Sequence, residues 1–225
     1  MASHAPSLAE RLRHDLEQGQ ILDQDRRYLM LRADVLMGLF AELEPAPRAQ
    51  ALRALGRSVQ RHGAGSVQAY ARLLAGGTEG AAPSAPSAPS APSAPSAPSA
   101  SSLSRASVES AAARALLGDM AAAAATLGWG VWEFEPDGTG LRLTVRNSPF
   151  AAAARGLGLQ GEPVCHAIAG MAEALAQALW SAPAEVSECC AAQGPPGAPL
   201  RCVFQLRPPG RDRDCGTHHL EETEP

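Results

Sequence analysis

The chain has 225 residues and a formal net charge of −4, with acidic residues interleaved among its arginines. This balance argues against nucleic-acid binding, because affinity for phosphate comes from clustered lysine and arginine. No stretch reaches the roughly 18 consecutive apolar residues of a membrane span, and the first residues lack the apolar block of a secretory signal. We therefore expect a cytoplasmic protein with no nucleic-acid or membrane partner, and the Ala- and Arg-rich composition is typical of bacterial genes.

A repetitive segment divides the chain. Six consecutive Ala-Pro-Ser triplets occupy residues 82–99. Proline at every third position removes backbone donors and excludes helix, and alanine and serine offer little apolar surface to bury. The pattern predicts a disordered linker over 76–104, which separates a helical N-terminal segment (1–75) from a folded core (105–207). The polar residues 208–225 are predicted to form a disordered tail.

Before the linker, apolar spacing predicts helices. The first apolar residues recur every four positions: Leu8, Leu12 and Leu16. This spacing predicts a helix over 6–19. A second helix is expected to open near Asp34 and to end at Pro45. A third is expected over 48–74, interrupted at 62–65 by the sequence His-Gly-Ala-Gly.

After the linker, the pattern predicts in order a helix, a strand pair, a helix and a second strand pair. These elements are expected over residues 107–127, 130–135 with 141–146, 164–180, and 184–190 with 200–206. Antiparallel strand pairs alternating with helices predict an α+β fold. We expect an antiparallel sheet with helices packed on one face, to which the N-terminal helical segment is joined through the Ala-Pro-Ser linker.

A glycine motif at 156–161 matches the GxGxxG pattern of dinucleotide-binding proteins. That fingerprint requires a preceding strand and a helix that opens at the first glycine. Here an alanine-rich, helix-like stretch precedes the motif. The motif therefore does not predict a nucleotide site.

The cysteines lie in the last third of the chain, and in a cytoplasmic protein clustered cysteines more often bind metal than form disulfides. Cys165 begins a predicted helix. Cys190 and Cys202 lie twelve residues apart on the second strand pair, where pairing can bring them side by side. Thiolates bind zinc tetrahedrally, and a carboxylate from Glu188 or Glu185 can complete such a site. The alternative is that these cysteines are small buried apolar residues.

The order of several short motifs resembles the 4-vinyl reductase domain family. They are residues 127–130, 147–150, 162–166, 185–194 and 202–204, within a resemblance that covers about 107–207 and, more loosely, 25–75. The family includes a proposed vinyl reductase of bacteriochlorophyll synthesis, hydrocarbon-binding proteins, and sensory domains of phenol- and toluene-responsive activators.

The resemblance implies a zinc site. In the phenol-sensing members, zinc is held by a cysteine before a helix, by a Glu three residues ahead of a second cysteine, and by a third cysteine on the last strand. The matching cysteines are Cys165, Cys190 and Cys202. The Glu position falls on Ser187, so the alternatives for the fourth ligand are Glu188, Glu185 and Cys189.

The resemblance also implies an apolar pocket for an aromatic ligand, with a Trp and a His nearby. The candidates are Trp129, Trp132, Phe134 and His62. The alternative is that these aromatic residues belong to the core or to a surface hairpin, and that His62 caps a helix end.

Together these features predict a binding protein for a small hydrophobic or aromatic molecule, braced by a structural zinc. It would be a sensor-like module without an output domain. One alternative is an enzyme or accessory protein in tetrapyrrole vinyl reduction, although no site for an electron donor is readable. Another is a dimeric interaction scaffold, because related folds form dimeric subunits. A homodimer is expected.

Overall fold

The computed structural model describes the following parts of the chain: residues 7–75, 110–138, 140–159, 163–188 and 200–208. The predicted linker over 76–104 lies outside the described residues, as does all but the first residue of the predicted tail. None of the described helices combines the length and apolar character needed to cross a membrane.

The N-terminal segment begins with a small sheet. Its elements are α1 (Leu8–Arg11), β1 (Arg13–Asp15), β2 (Gln20–Asp23) and β3 (Arg26–Tyr28), with antiparallel strands in the order β1-β2-β3. The prediction of a helix over 6–19 is therefore wrong. The helix ends at Leu12, whose backbone is extended, and Asp15 Oδ1 accepts a hydrogen bond from the Gln18 N–H in a turn. The turn residues therefore end the helix that the apolar spacing predicted. The Leu16 side chain, which that helix would have buried, is 88% exposed.

Two helices follow, α2 (Ala33–Ala41) and α3 (Pro45–Ala75). The helix predicted to open near Asp34 is confirmed. The interruption predicted at 62–65 is wrong, because α3 runs through it without a break. A glycine inside a helix lowers helix stability by only about 1 kcal/mol relative to alanine, and tertiary packing can offset that loss. Gly63 is buried so closely against Met171 that an added Cβ would lie 2.8 Å from the Met171 Cε.

The second half contains α4 (Ala111–Thr126), β4 (Val131–Asp137), β5 (Gly140–Arg146), α5 (Pro149–Gly156), α6 (His166–Trp180), β6 (Glu185–Glu188) and β7 (Arg201–Arg207). The strands form one antiparallel sheet in the order β4-β5-β7-β6. The predicted α+β class is confirmed. Helix α5, which the sequence analysis noted only as an alanine-rich, helix-like stretch, begins where the Ser148 Oγ accepts from the Ala151 N–H, and Pro149 occupies its first turn. It confirms that a helix precedes the GxGxxG motif.

One face of this sheet forms the core. Its buried side chains alternate along the strands: Trp132, Leu141, Leu143, Val145, Cys202, Phe204 and Leu206. Helix α6 packs against β6 and β7, and α4 packs against β4. Residues between these positions, such as Arg142 and Thr144, are only partly buried. The helices therefore cover one face, as the alternation predicted.

Helices α3 and α6 join the two halves of the chain at a close crossing. A Cβ added to Gly170 would lie 2.0 Å from the carbonyl oxygen of Gly56, and one added to Gly56 would lie 2.7 Å from the carbonyl oxygen of His166. Only residues without a Cβ permit this approach. The crossing therefore holds α3 against the C-terminal half of the chain.

Candidate ligand cavity and metal centre

A cavity of about 290 Å³ lies between the N-terminal sheet, α3, α4 and the start of β4. Its volume is close to the lower end of the roughly 300–1,000 Å³ typical of small-molecule sites. Most of its wall is apolar: Leu8, Val59, Met120, Leu127, Trp129, Trp132 and Met171. Such a wall suits a single aromatic ring or a short hydrocarbon chain.

Three of the four predicted pocket residues line this cavity. They are Trp129, Trp132 and His62. Trp132 is 4% exposed, and its indole N–H donates to the Trp129 carbonyl oxygen at 3.2 Å. Phe134 is not among the described lining residues; it packs edge-on against Trp132, with 6.1 Å between ring centroids. Phe134 thus contacts a lining residue without being a described lining residue itself.

The cavity also has a polar end that the sequence analysis missed. The Arg11 Nε donates to Asp23 Oδ1 at 3.0 Å, and an Arg11 terminal nitrogen donates to the Tyr70 hydroxyl at 2.9 Å. Asp23 is 3% exposed. The hydrogen bond to Asp23 holds the pKa of the Arg11 guanidinium above its usual range, so the arginine stays charged. The sequence did not predict this cluster, because residues 6–19 were interpreted as one helix, which hides the turn that brings Arg11 to Asp23.

A second guanidinium lies at the same end. Arg26 donates to the Ser66 Oγ at 2.9 Å. Tyr28, two residues along β3, also lines the cavity. Burial and, secondarily, the charge of Asp23 raise the pKa of Tyr28, so its hydroxyl stays protonated at neutral pH. The polar end therefore combines fixed positive charge with neutral hydroxyl groups.

A separate cluster joins two cysteines and a glutamate. Cys165 precedes α6, and Cys202 lies on β7 opposite Val145 of β5. Their Sγ atoms are 3.4 Å apart. The Cys165 backbone N–H donates to Glu188 Oε2 at 3.2 Å, and one ligand atom from each of the three residues lies within 4.8 Å of the others. Zinc–sulfur bonds of 2.3 Å in a tetrahedron place two sulfurs about 3.8 Å apart, so small shifts would admit the ion.

The electrostatics of this cluster favour a cation. Burial raises the pKa of Glu188 to about 7. The hydrogen bond to Cys202 and then burial raise the pKa of the Cys165 thiol well above its usual value. The Glu188 Oε1 is buried and has no hydrogen-bond partner among the described residues. Burying an acidic group without a hydrogen-bond partner costs free energy. A metal ion bound at this cluster would offset that cost.

The structure separates the alternatives for the carboxylate ligand. Glu188 is brought to Cys165, whereas Glu185 is exposed at the other end of β6, opposite Arg207. Cys189 and Cys190 lie outside the described residues. Glu188 is thus the carboxylate placed at the two described cysteines.

No protein-family model and no curated protein matches this chain. Among solved structures it is similar to the phenol-responsive sensory domain of the transcription activator PoxR, crystallised with phenol. The TM-score is 0.62 at 17% sequence identity, over 89% of this chain and 86% of that domain. The chain therefore has the fold of a known sensory domain.

Proposed function

We propose that this protein is a sensor-like module of the 4-vinyl reductase domain type that binds a small hydrophobic or aromatic molecule. The observation that carries the proposal is the cavity of about 290 Å³, walled by Trp129, Trp132 and apolar side chains. It occurs in a chain with the fold of a phenol-responsive sensory domain. A tetrapyrrole macrocycle is large for this volume, which disfavours the alternative of vinyl reduction.

The expected affinity follows from the surface that the ligand buries. Apolar burial contributes about 25 cal/mol per Å², from which the costs of association are subtracted. A phenol-sized molecule is therefore expected to bind no more tightly than roughly micromolar. Larger apolar ligands that still fit the cavity are expected to bind more tightly.

The test is a fluorescence titration with small aromatic molecules, and with a porphyrin as the competing class. Binding should change the emission of the parent protein, and Trp129→Phe and Trp132→Phe should each reduce the change, because both indole rings line the cavity. Trp180→Phe is the matched control, because Trp180 is the last residue of α6 and is not among the described lining residues. Mass spectrometry of molecules that co-purify with the protein identifies the natural class. No response to any small molecule would refute the proposal, and selective porphyrin binding would favour vinyl reduction.

We also propose that the cysteine cluster holds a structural zinc. Cys165, Cys202 and Glu188 are the candidate ligands among the described residues, and Cys190 is the further cysteine that the sequence resemblance implies. Two thiols and a partly buried carboxylate form a donor set that zinc accepts. Bound there, zinc would tie the start of α6 to β6 and β7. Metal analysis of the purified protein tests this assignment.

Finally, we propose that the protein forms a homodimer through the surface around α2. Large apolar side chains are exposed there: Leu29, Met30, Leu31, Val35, Leu39 and Leu43. Patches of this kind mark association sites. Arg32 and Asp34, which lie within this surface, form an ion pair with each other and so leave no net charge at that position. A twofold contact would bury the same patch on both subunits.

A further inference from the structure

The two ends of the cavity come from different parts of the fold. Its apolar wall is built mainly by α3, α4 and the start of β4. Its charged lining residues all come from α1 and the N-terminal sheet: Arg11, Asp23, Arg26 and Arg27. Three arginines and one aspartate give this end a net positive charge. A cavity with one apolar and one cationic end fits a ligand of matching polarity.

Helix α3 holds two of these guanidinium groups in place. His62, Ser66 and Tyr70 follow one another at four-residue intervals along the face of α3 that lines the cavity. Ser66 accepts from Arg26, and Tyr70 accepts from Arg11. Residues four apart on a helix lie about 6 Å from each other. Helix α3 therefore supplies a hydrogen-bond acceptor to each of the two guanidinium groups.

The two arginines differ in their hydrogen-bond partners, although Asp23 is also the cross-strand neighbour of Arg26. Arg11 is paired with the buried carboxylate of Asp23. The described hydrogen-bond partners of Arg26 are both neutral, the Ser66 hydroxyl and the Gly65 carbonyl oxygen at 3.5 Å. A planar guanidinium held in this way is suited to bind a carboxylate, and such charge-assisted hydrogen bonds are about twice as strong as neutral ones.

We propose that the ligand is an amphipathic organic anion, a carboxylate on a short aliphatic or aromatic body, with its charged group at Arg26. This inference rests on the proposed function, since it assigns a chemical class to the molecule in the same cavity. The apolar body would lie against Trp132 and Met120, and the carboxylate would lie among Arg26, Arg27 and the hydroxyl groups of the polar end.

Calorimetric titration of the full chain with octanoate, octanamide and phenol tests the inference. Octanoate and octanamide share a chain length and differ in charge. We expect octanoate to bind about tenfold more tightly than octanamide, the effect of one hydrogen bond to a charged group. Arg26→Gln should remove most of this preference, whereas Arg26→Lys should retain much of it. Arg142→Gln is the control, because Arg142 lies on the sheet face away from the cavity and should change neither affinity.

The outcomes separate the two proposals. If octanamide or phenol binds and octanoate binds no better, the charge inference is overturned and the proposed function stands. A preference for octanoate that survives Arg26→Gln, in a variant with an unchanged circular dichroism spectrum, overturns the role of Arg26. If none of the three molecules binds, both proposals are overturned.

Discussion

The sulfur atoms of Cys165 and Cys202 lie 3.4 Å apart, although 37 positions separate the two residues in the chain. The contact depends on the pairing of β5 with β7, which places Cys202 opposite Val145, and on Ser148, whose hydroxyl lies 3.2 Å from the Cys165 sulfur. A metal held here would connect elements that are distant in sequence. Its contribution to stability should therefore be measurable.

The first prediction concerns the metal content. We expect about one zinc per chain, and the substitutions Cys165→Ser, Cys190→Ser and Cys202→Ser should each reduce it. Structural zinc contributes directly to the free energy of folding, so each substitution and a strong chelator should lower the melting temperature by several degrees. Elemental analysis and thermal denaturation measure the two effects.

Cys215→Ser, which changes a cysteine of the predicted tail, should alter neither the metal content nor the melting temperature. Metal-free parent protein that melts at the same temperature as the three variants would refute the site.

The second prediction concerns the pH dependence of the metal-free protein. Burial raises the pKa of Glu188 from 4.5 to about 7, so the folded state binds this proton more tightly than the unfolded state does. The stability that it contributes is fully present below about pH 4.5 and is lost as the pH rises through about 7, by up to about 3 kcal/mol.

Urea denaturation of the metal-free protein from pH 4.5 to pH 8 measures this loss. Glu188→Gln, which carries no titrating proton, should show a smaller loss over the same range. Added zinc should restore the stability of the parent above pH 7, because metals bind deprotonated ligands, and should not restore that of the variant. Parallel pH profiles for parent and variant would mean that Glu188 is not titrating in this window.

The sequence identified the described cysteine cluster better than it identified the cavity. Cysteines are rare and chemically distinctive, so Cys165 and Cys202 stood out before any fold was known. Helix and strand spacing then predicted the elements that carry them. The choice between Glu188 and Glu185 required the register of β6 on β7, because both glutamates belong to the same short strand.

The polar end of the cavity was not predictable in the same way. The chain turns back on itself after Leu12, and this turn brings Arg11 within hydrogen-bond distance of Asp23 and Tyr70. The apolar spacing around that position favours a helix, and only the capping and turn residues oppose it. Long-range contacts of common residue types leave no local pattern, so Arg26 and Ser66 could be paired only from the folded chain.

The third prediction concerns the crossing of α3 and α6. Gly170→Ala would place a Cβ against the Gly56 carbonyl oxygen, which is backbone and cannot turn aside. We expect a loss of about 1–3 kcal/mol or more in the free energy of unfolding. Gly118→Ala is the matched control: it also lies within a helix, but nothing described lies within 4 Å of its added Cβ. That variant should be more stable than the parent by about 0.5–1 kcal/mol. Equal effects of the two substitutions in chemical denaturation would show that the crossing accommodates a Cβ at position 170.

The fourth prediction concerns the proposed dimer. Leu39 is 64% exposed on the outer side of α2, so Leu39→Lys should leave the subunit folded. In a twofold contact the new lysine would be buried on both subunits without an opposite charge, so the dimer should dissociate. Analytical ultracentrifugation measures the change. Leu16→Lys, in the exposed turn between β1 and β2, should have no effect. A parent protein that sediments as a monomer at all concentrations would refute the dimer.

The fifth prediction fills the cavity without disturbing its polar end. Ala123 is buried on α4 and lines the cavity, so the larger side chain in Ala123→Leu would extend into space that a ligand needs. Filling a cavity adds apolar contacts, and the unliganded protein should be at least as stable as the parent. Binding of phenol or octanoate should weaken by about tenfold or more, as expected when about 1.4 kcal/mol of contact is lost. Ala125→Leu is the matched control, because Ala125 is exposed two residues further along the same helix. Calorimetric titration and thermal denaturation of the three proteins measure both quantities. A ligand that binds Ala123→Leu and the parent equally well occupies some other site.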